Sequence, residues 1–167
     1  RLFAGANSFS LIAIPFFIFA GNIMNNGGIA ERIVNVAKVV AGRMPGALAQ
    51  SNVVANMLFG AISGSGAAAA AAMGGTIGPI EKKEVYDPIY SAGVNIASAP
   101  TGILIPPSNL MIVYSTIAGS VSVAALFTGG YVPGILWGLL VMFLAGVKAK
   151  KCGYVAEQYP DCYFAYP

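Results

Sequence analysis

The stretch Gly60-Ala-Ile-Ser-Gly-Ser-Gly66, followed by six alanines from Ala67 to Ala72, decides how this chain is read. It lies at the midpoint of Met44 to Ile80, an interval of 37 residues without a charged side chain. A membrane-crossing helix needs roughly 20 apolar residues to cover about 30 Å of hydrocarbon. The interval is too long for one such helix and barely long enough for two with a turn. The Ser/Gly run interrupts any helix, leaving two arms of about 15 residues, each about 22 Å long at 1.5 Å per residue. Arms of that length do not cross. The pattern predicts a re-entrant helical hairpin whose tip stops near mid-membrane, where non-helical backbone is tolerated only if protein or a watery cavity surrounds it. Two roles fit the tip. Glycines four apart (Gly60/Gly64 and Gly74/Gly78) let helices approach closely, so packing alone explains them. Alternatively, a hairpin tip offers backbone N–H and C=O groups and two hydroxyls to an ion or anion. It is neither a phosphate loop, since no Gly-Lys-Ser/Thr follows, nor a nucleophile elbow.

The rest of the chain is organised the same way. Of 167 residues, 57% are hydrophobic and 9% charged, with a mean hydropathy of +0.74. A soluble domain carries about 25% charged residues, so too few are present to cover a water-facing surface. Leu2 to Ala30 and Pro88 to Val147 are two further charge-free intervals, of 29 and 60 residues. The first holds one span, approximately Phe9 to Met24 with a kink at Pro15; the third holds two. The basic clusters (Arg32, Lys38 and Arg43; Lys82 and Lys83; Lys148, Lys150 and Lys151) then fall on one face, the cytoplasmic one by the positive-inside rule. The rule sets the orientation; two complete spans over 44–80 would give the same parity.

Ile29, Ile33, Val36, Ala37 and Val40 repeat at helical spacing with Glu31, Asn35 and Lys38 opposite. That is an amphipathic helix suited to the membrane surface, or a linker helix packed on the protein. Glu81 to Asp87 reads as a solvated loop that marks topology. The chain therefore divides into a transmembrane helix (1–28), an interfacial helix (29–43), the hairpin (44–80), a cytoplasmic loop (81–87), a discontinuous transmembrane helix (88–118), a short connection with a transmembrane helix (119–151) and a polar tail (152–167). The fold class is an all-α membrane protein in contact with the lipid bilayer. The opening residues read like the interior of a longer protein, so a preceding region is expected.

Ser98-Ala-Pro-Thr-Gly-Ile-Leu-Ile-Pro-Pro-Ser108 is the second interruption. Pro106 and Pro107 remove two donors and clash with the preceding turn, so no continuous helix runs through. Carbonyls released around Thr101 to Ile105 need partners; a bound cation supplies one, and Ser/Thr repair of a plain kink is the alternative. A hairpin tip and a broken helix in one chain are what discontinuous-helix transporters use for ions and substrate. With no Asp, Glu, Lys, Arg or His inside a span, neutral oxygens and a hard cation, Na⁺, are favoured over a proton relay. The chain has no His, which excludes imidazole catalysis and His zinc sites, and no catalytic residues are assigned. Cys152 and Cys162 read as free thiols without metal spacing. The basic residues form no patch that would hold nucleic acid.

Ile14-Pro-Phe-Phe-Ile-Phe-Ala-Gly-Asn-Ile-Met-Asn-Asn-Gly-Gly28, Gly42-Arg-Met-Pro-Gly46, Gly60-Ala-Ile-Ser-Gly-Ser65, Tyr86-Asp-Pro88, Ile105-Pro-Pro-Ser108, and Ala125-Leu-Phe with Val132-Pro-Gly134, occur in order. Together they resemble the large (M) subunit of tripartite ATP-independent periplasmic (TRAP) transporters, the C4-dicarboxylate and sialic acid uptake systems, to about Gly153. The resemblance implies the first of two inverted repeats in a multi-pass permease of the bacterial inner membrane. It also implies an organic anion delivered by a periplasmic substrate-binding protein, a small membrane (Q) subunit, and Na⁺-driven, elevator-like transport. Carried over residue by residue, it implies a sodium site at Ser63, Gly102, Ile105 and Pro107, largely through carbonyls, with Ser65, Thr101 and Gly64 toward the substrate. The chain departs from the family in length: the second hairpin, its broken helix and the second sodium site are missing, so these residues alone are not expected to transport. Two other readings remain. A divalent anion–sodium symporter normally shows Ser-Asn-Thr at its tips, which this chain lacks; a non-transporting assembly subunit would use the glycines only for packing.

Overall fold

The computed structural model describes residues 27–119 and 121–153, together with 15, 16, 19, 20 and 23. The expected first span at 9–24 therefore falls mostly outside the described residues, and so does the tail from 154 with Cys162. All regular elements among the described residues are helices. They are α1 (Ile29–Ala41), α2 (Ala47–Ser63), α3 (Gly66–Thr76), α4 (Gly78–Lys83), α5 (Pro88–Ser98), α6 (Thr101–Leu104), α7 (Asn109–Ala118) and α8 (Val123–Cys152).

Helix α2 is the centre. Its sequence has no charged residue, and its buried positions run all round it, from Leu48, Ala49 and Val53 to Asn52, Asn56, Phe59 and Ser63. A helix apolar or small on every face is buried on every face, and α1, α3, α5, α6 and α8 all pack on it. On one side Ala55 and Phe59 meet Ile33, Val34 and Ala37 of α1 and Ala69, Ala72 and Met73 of α3. On the other, Leu48 and Val53 meet Tyr90 and Val94 of α5 and Val141, Ala145 and Ala149 of α8.

The α1 stripe differs from the sequence expectation by a rotation. Ala30, Ile33, Val34, Ala37 and Ala41 are packed inward, whereas Val36, Val39 and Val40 are exposed. Alanines let α1 lie close on α2, and that approach decides which face turns in. The valines expected on the inner stripe form a second apolar edge facing outward.

Helices α2 and α3 have 17 and 11 residues, about 26 and 17 Å at 1.5 Å per residue, the first a little short of a roughly 30 Å hydrocarbon core; α3 is followed after Ile77, itself helical in φ and ψ, by α4. Helix α8 has 30 residues, about 45 Å. It is long and apolar enough to cross a membrane, and most of its apolar window is unburied. Its packed edge is a row of small residues, Gly130, Gly134, Gly138, Ala145 and Ala149, while Leu136, Leu139, Leu140, Phe143 and Leu144 face outward. Small residues on the packed side and large apolar ones outside are the pattern of a helix in lipid. Helices α5 and α6 followed by α7 meet the same length and hydropathy test jointly, with a 45° bend between Leu104 and Asn109. Asp87 caps α5 by accepting from the Ile89 N–H at 3.1 Å, with Pro88 at the first helical position. That explains the Asp-Pro pair locally.

The segment read as a loop over 81–87 is in part helical. Helix α4 continues through Lys83, and Glu81 is buried while Lys82, Lys83, Glu84 and Asp87 are exposed. A charge run on a short helix must turn one residue in four toward whatever it packs on; here that residue is Glu81.

Candidate functional site

The break in the third interval is narrower than the sequence suggests. Pro100 has φ −59° and ψ −22°, helical values that its ring accepts, so the chain continues through it into α6. The Ile105 N–H donates to the Thr101 carbonyl at 2.8 Å, which leaves that carbonyl satisfied. The next two donors along the helix would be those of Pro106 and Pro107, and neither has an N–H. The carbonyls of Gly102 and Ile103 thus lose their helical partners through the covalent structure alone. Ile105 is extended, with ψ 122°, and the Pro106–Pro107 peptide bond is cis. A new helix starts at Asn109.

The hairpin tip sits on this break. Gly64 ends α2 with φ +63°, a conformation that glycine adopts at no steric cost. Its carbonyl accepts from the Asn109 N–H at 3.3 Å. A Cβ at Gly64 would lie 2.7 Å from the Pro107 carbonyl oxygen. Gly102 lies against the backbone of both arms: a Cβ there would be 2.8 Å from Gly60 Cα and 3.5 Å from Gly66 Cα. Three glycines, one from each of α2, α3 and α6, thus meet where no side chain fits.

The residues named from sequence fall as follows. Ser63 is buried at the end of α2, with its hydroxyl in two long contacts, 3.3 Å to the Ser65 carbonyl and 3.4 Å from the Ser65 N–H. Ser65 is half-buried and caps α3 by accepting from the Ala68 N–H at 3.4 Å. Gly102, Ile105 and Thr101 are buried, and Pro107 is half-buried. The Thr101 hydroxyl turns back onto its own helix, donating to the Ser98 carbonyl at 2.6 Å. Gly64 and Pro107 are therefore in direct contact, as are Gly102 and the two arms, while the Thr101 hydroxyl is engaged elsewhere.

Several polar residues escaped the sequence reading. Ser108 is fully buried between the two residues that touch Gly64, and its hydroxyl has no hydrogen-bond partner among the described residues. A buried oxygen without a partner at this crossing is open to a water or an ion. Below the break, the Asn56 amide lies 2.8 Å from Asn52 Oδ1, 2.9 Å from Asn95 Oδ1 and 2.8 Å from Ser98 Oγ. Asn95 in turn donates to the Ala70 carbonyl of α3 at 3.0 Å. Asn52 and Asn56, four apart in a charge-free helix, carried the signal; attention to the breaks passed over it. The arrangement offers neutral groups: carbonyl and hydroxyl oxygens at the crossing, with side-chain amides of Asn56, Asn95 and Asn109 around it. No group of three His, Cys, Asp or Glu side chains able to hold a metal occurs among the described residues. Neutral oxygens at a buried crossing suit a hard cation.

Residues 1–160 match the model of the tripartite ATP-independent periplasmic transporter, DctM component. The chain belongs to the TRAP transporter large permease family. It is 55% identical to the uncharacterized protein YgiK of Salmonella typhimurium over 95% of its own length and 37% of that protein. It is 37% identical to the C4-dicarboxylate TRAP transporter large permease protein DctM of Rhodobacter capsulatus, over 92% of this chain and 38% of that one. With the sialic acid TRAP transporter large permease protein SiaM of Vibrio cholerae the identity is 36%, over 93% and 36%. The chain thus spans little more than a third of these relatives. The family consists of integral membrane permeases, not enzymes, and its match decides for TRAP over the divalent anion–sodium symporters.

Proposed function

We propose that this segment forms the first half of the transport core of a sodium-coupled importer of small organic anions in the bacterial inner membrane. The observation that carries the reading is the seating of the hairpin tip on the helix break, with Gly64 on Pro107 and Asn109. There, two proline-freed carbonyls and the hydroxyls of Ser63 and Ser108 supply oxygens without charge. Na⁺ would be held by Ser63, Gly102, Ile105 and Pro107, with Ser108 adding an oxygen. Gly64, Ser65 and Thr101 lie on the substrate side of this reading. Arms of about 26 and 17 Å support a hairpin that enters and leaves on one face of the membrane. The outward Val36, Val39 and Val40 edge of α1 supports a helix at the membrane surface.

Relatives named for C4-dicarboxylates, sialic acid and isethionate are all named for anions, and this supports an anionic substrate. The same family argues for delivery by a periplasmic binding protein, for a small membrane subunit, and for an elevator movement of the hairpin with its broken helix. The test is sodium-dependent uptake by the full-length permease with its partners. Ser63→Ala removes one oxygen and leaves the packing nearly intact, so the sodium concentration for half-maximal uptake rises while protein level holds. Unchanged sodium dependence in Ser63→Ala and in Ser108→Ala would remove the ion from this crossing.

A further inference from the structure

Glu81 is 2% exposed. It projects from α4 into a seat made by Asn52 of α2 and Ser91 of α5, at the end of the hairpin away from the tip. Glu81 itself lies in the stretch 81–87 that connects the hairpin to α5. Among the described residues no donor reaches Glu81 Oε1, and the Ser91 hydroxyl in the same seat makes no hydrogen bond of its own. The titratable neighbours give no countercharge. Lys82, Lys83, Glu84 and Asp87 are exposed on the far side of the same turn. Tyr90 donates to the Ala145 carbonyl, and Tyr86 stacks on Tyr90 with ring centroids 6.4 Å apart. Among the described residues, no Lys or Arg compensates a carboxylate in the seat.

A buried carboxyl with one oxygen unpartnered and no cation beside it is a poor site for an anion and a better one for a neutral acid. An ionised carboxylate here would be a buried charge with only the neutral Ser91 and Asn52 beside it, whereas the protonated acid carries no charge to desolvate. We propose that Glu81 is a proton-binding site, holding its proton while α4 is seated between α2 and α5 and releasing it when that seat opens. The inference stands apart from the sodium reading, because it uses neither the tip nor the helix break. Burial raises the Glu81 pKa above its ordinary 4.5, and the polar Ser91 and Asn52 side chains offset this only in part. The direction of the coupling follows. The seated form binds the proton more tightly than the opened form, so seating is favoured at low pH. That advantage falls as pH rises from the ordinary carboxylate value through the raised one, by up to about tenfold in the opening equilibrium per pH unit.

The experiment is hydrogen–deuterium exchange of residues 78–91 in the purified full-length permease across pH, normalised to intrinsic rates and compared with Glu81→Gln. The neutral amide stands in for the protonated acid. Wild-type and Glu81→Gln protein are expected to exchange alike at low pH and to diverge as pH rises, with wild type opening more. Infrared spectra of the same samples should show a protonated carboxyl band that is absent in Glu81→Gln and titrates above the ordinary carboxylate range. Equal exchange at every pH, or a carboxyl that titrates at its ordinary value, overturns the proposal. Should Glu81→Gln not assemble, a flat wild-type exchange profile overturns it alone.

Discussion

Replacing Gly102 by alanine tests the crossing most directly. The added Cβ would stand 2.8 Å from Gly60 Cα and 3.5 Å from Gly66 Cα. Carbon atoms are at their optimum about 3.5–4.0 Å apart, so α6 and α2 must separate by roughly 1 Å. The nearest atoms are backbone, which cannot rotate aside, and overpacking of this kind costs about 1–3 kcal/mol. At about 1.4 kcal/mol per tenfold, the docked arrangement of tip and break loses about 5- to 150-fold in its equilibrium. The control is Gly93→Ala on α5, where an added Cβ meets nothing within 4 Å. There the helix gains the roughly 1 kcal/mol by which alanine exceeds glycine. The assay is thermal unfolding of the purified full-length permease with and without saturating sodium, alongside uptake. Gly102→Ala lowers the midpoint and shrinks the sodium-induced shift; Gly93→Ala keeps the shift and does not lower the midpoint. Gly102→Val loses uptake while still inserting. A Gly102→Ala protein with wild-type midpoint and sodium shift would refute the close crossing.

Three further outcomes follow from the same geometry. Asn56→Ala leaves Asn52, Asn95 and Ser98 short of a buried donor and lowers stability by about 2–4 kcal/mol, read by denaturant unfolding. Single cysteines at Lys38, Lys83 and Lys150 react with impermeant reagents from the cytoplasm only, and one at the exposed Ser122 reacts from the opposite side; labelling of position 83 from the periplasm would refute the layout. Probing of the tip belongs at half-buried Ser65, since Gly64 has positive φ and no room for a Cβ; partial labelling that changes with transport state is expected there, and full periplasmic labelling of 62–66 would instead mean two complete spans.

The two interruptions were legible because they are covalent facts. Consecutive prolines at 106 and 107 must release carbonyls, and a Ser/Gly run must end a helix, whatever surrounds them. The meeting of Gly64 with the Pro107–Asn109 backbone followed only from the family resemblance, since sequence spacing does not say which breaks touch. Pro100 was read as part of the break because a proline inside a helix usually costs more than a donor; here its fixed φ matches the turn. Glu81 was invisible for a different reason. In a run of five charges within seven residues, which one turns inward depends on the docking of α4 between α2 and α5, a tertiary fact. The α1 stripe was misplaced by the same cause, with Ala30, Val34 and Ala41 taking the inner face in place of Val36 and Val40.

Asn95 has a consequence that reaches beyond its hydrogen bonds. One side chain on α5 holds Asn56 of one hairpin arm and the Ala70 carbonyl of the other. It works as a rivet through three plates. A change in the mutual angle of the arms, or a slide along α5, draws that amide out of at least one of its two partners. Displacing the tip without α5 therefore breaks at least one of these bonds, so hairpin and α5 are tied to one another.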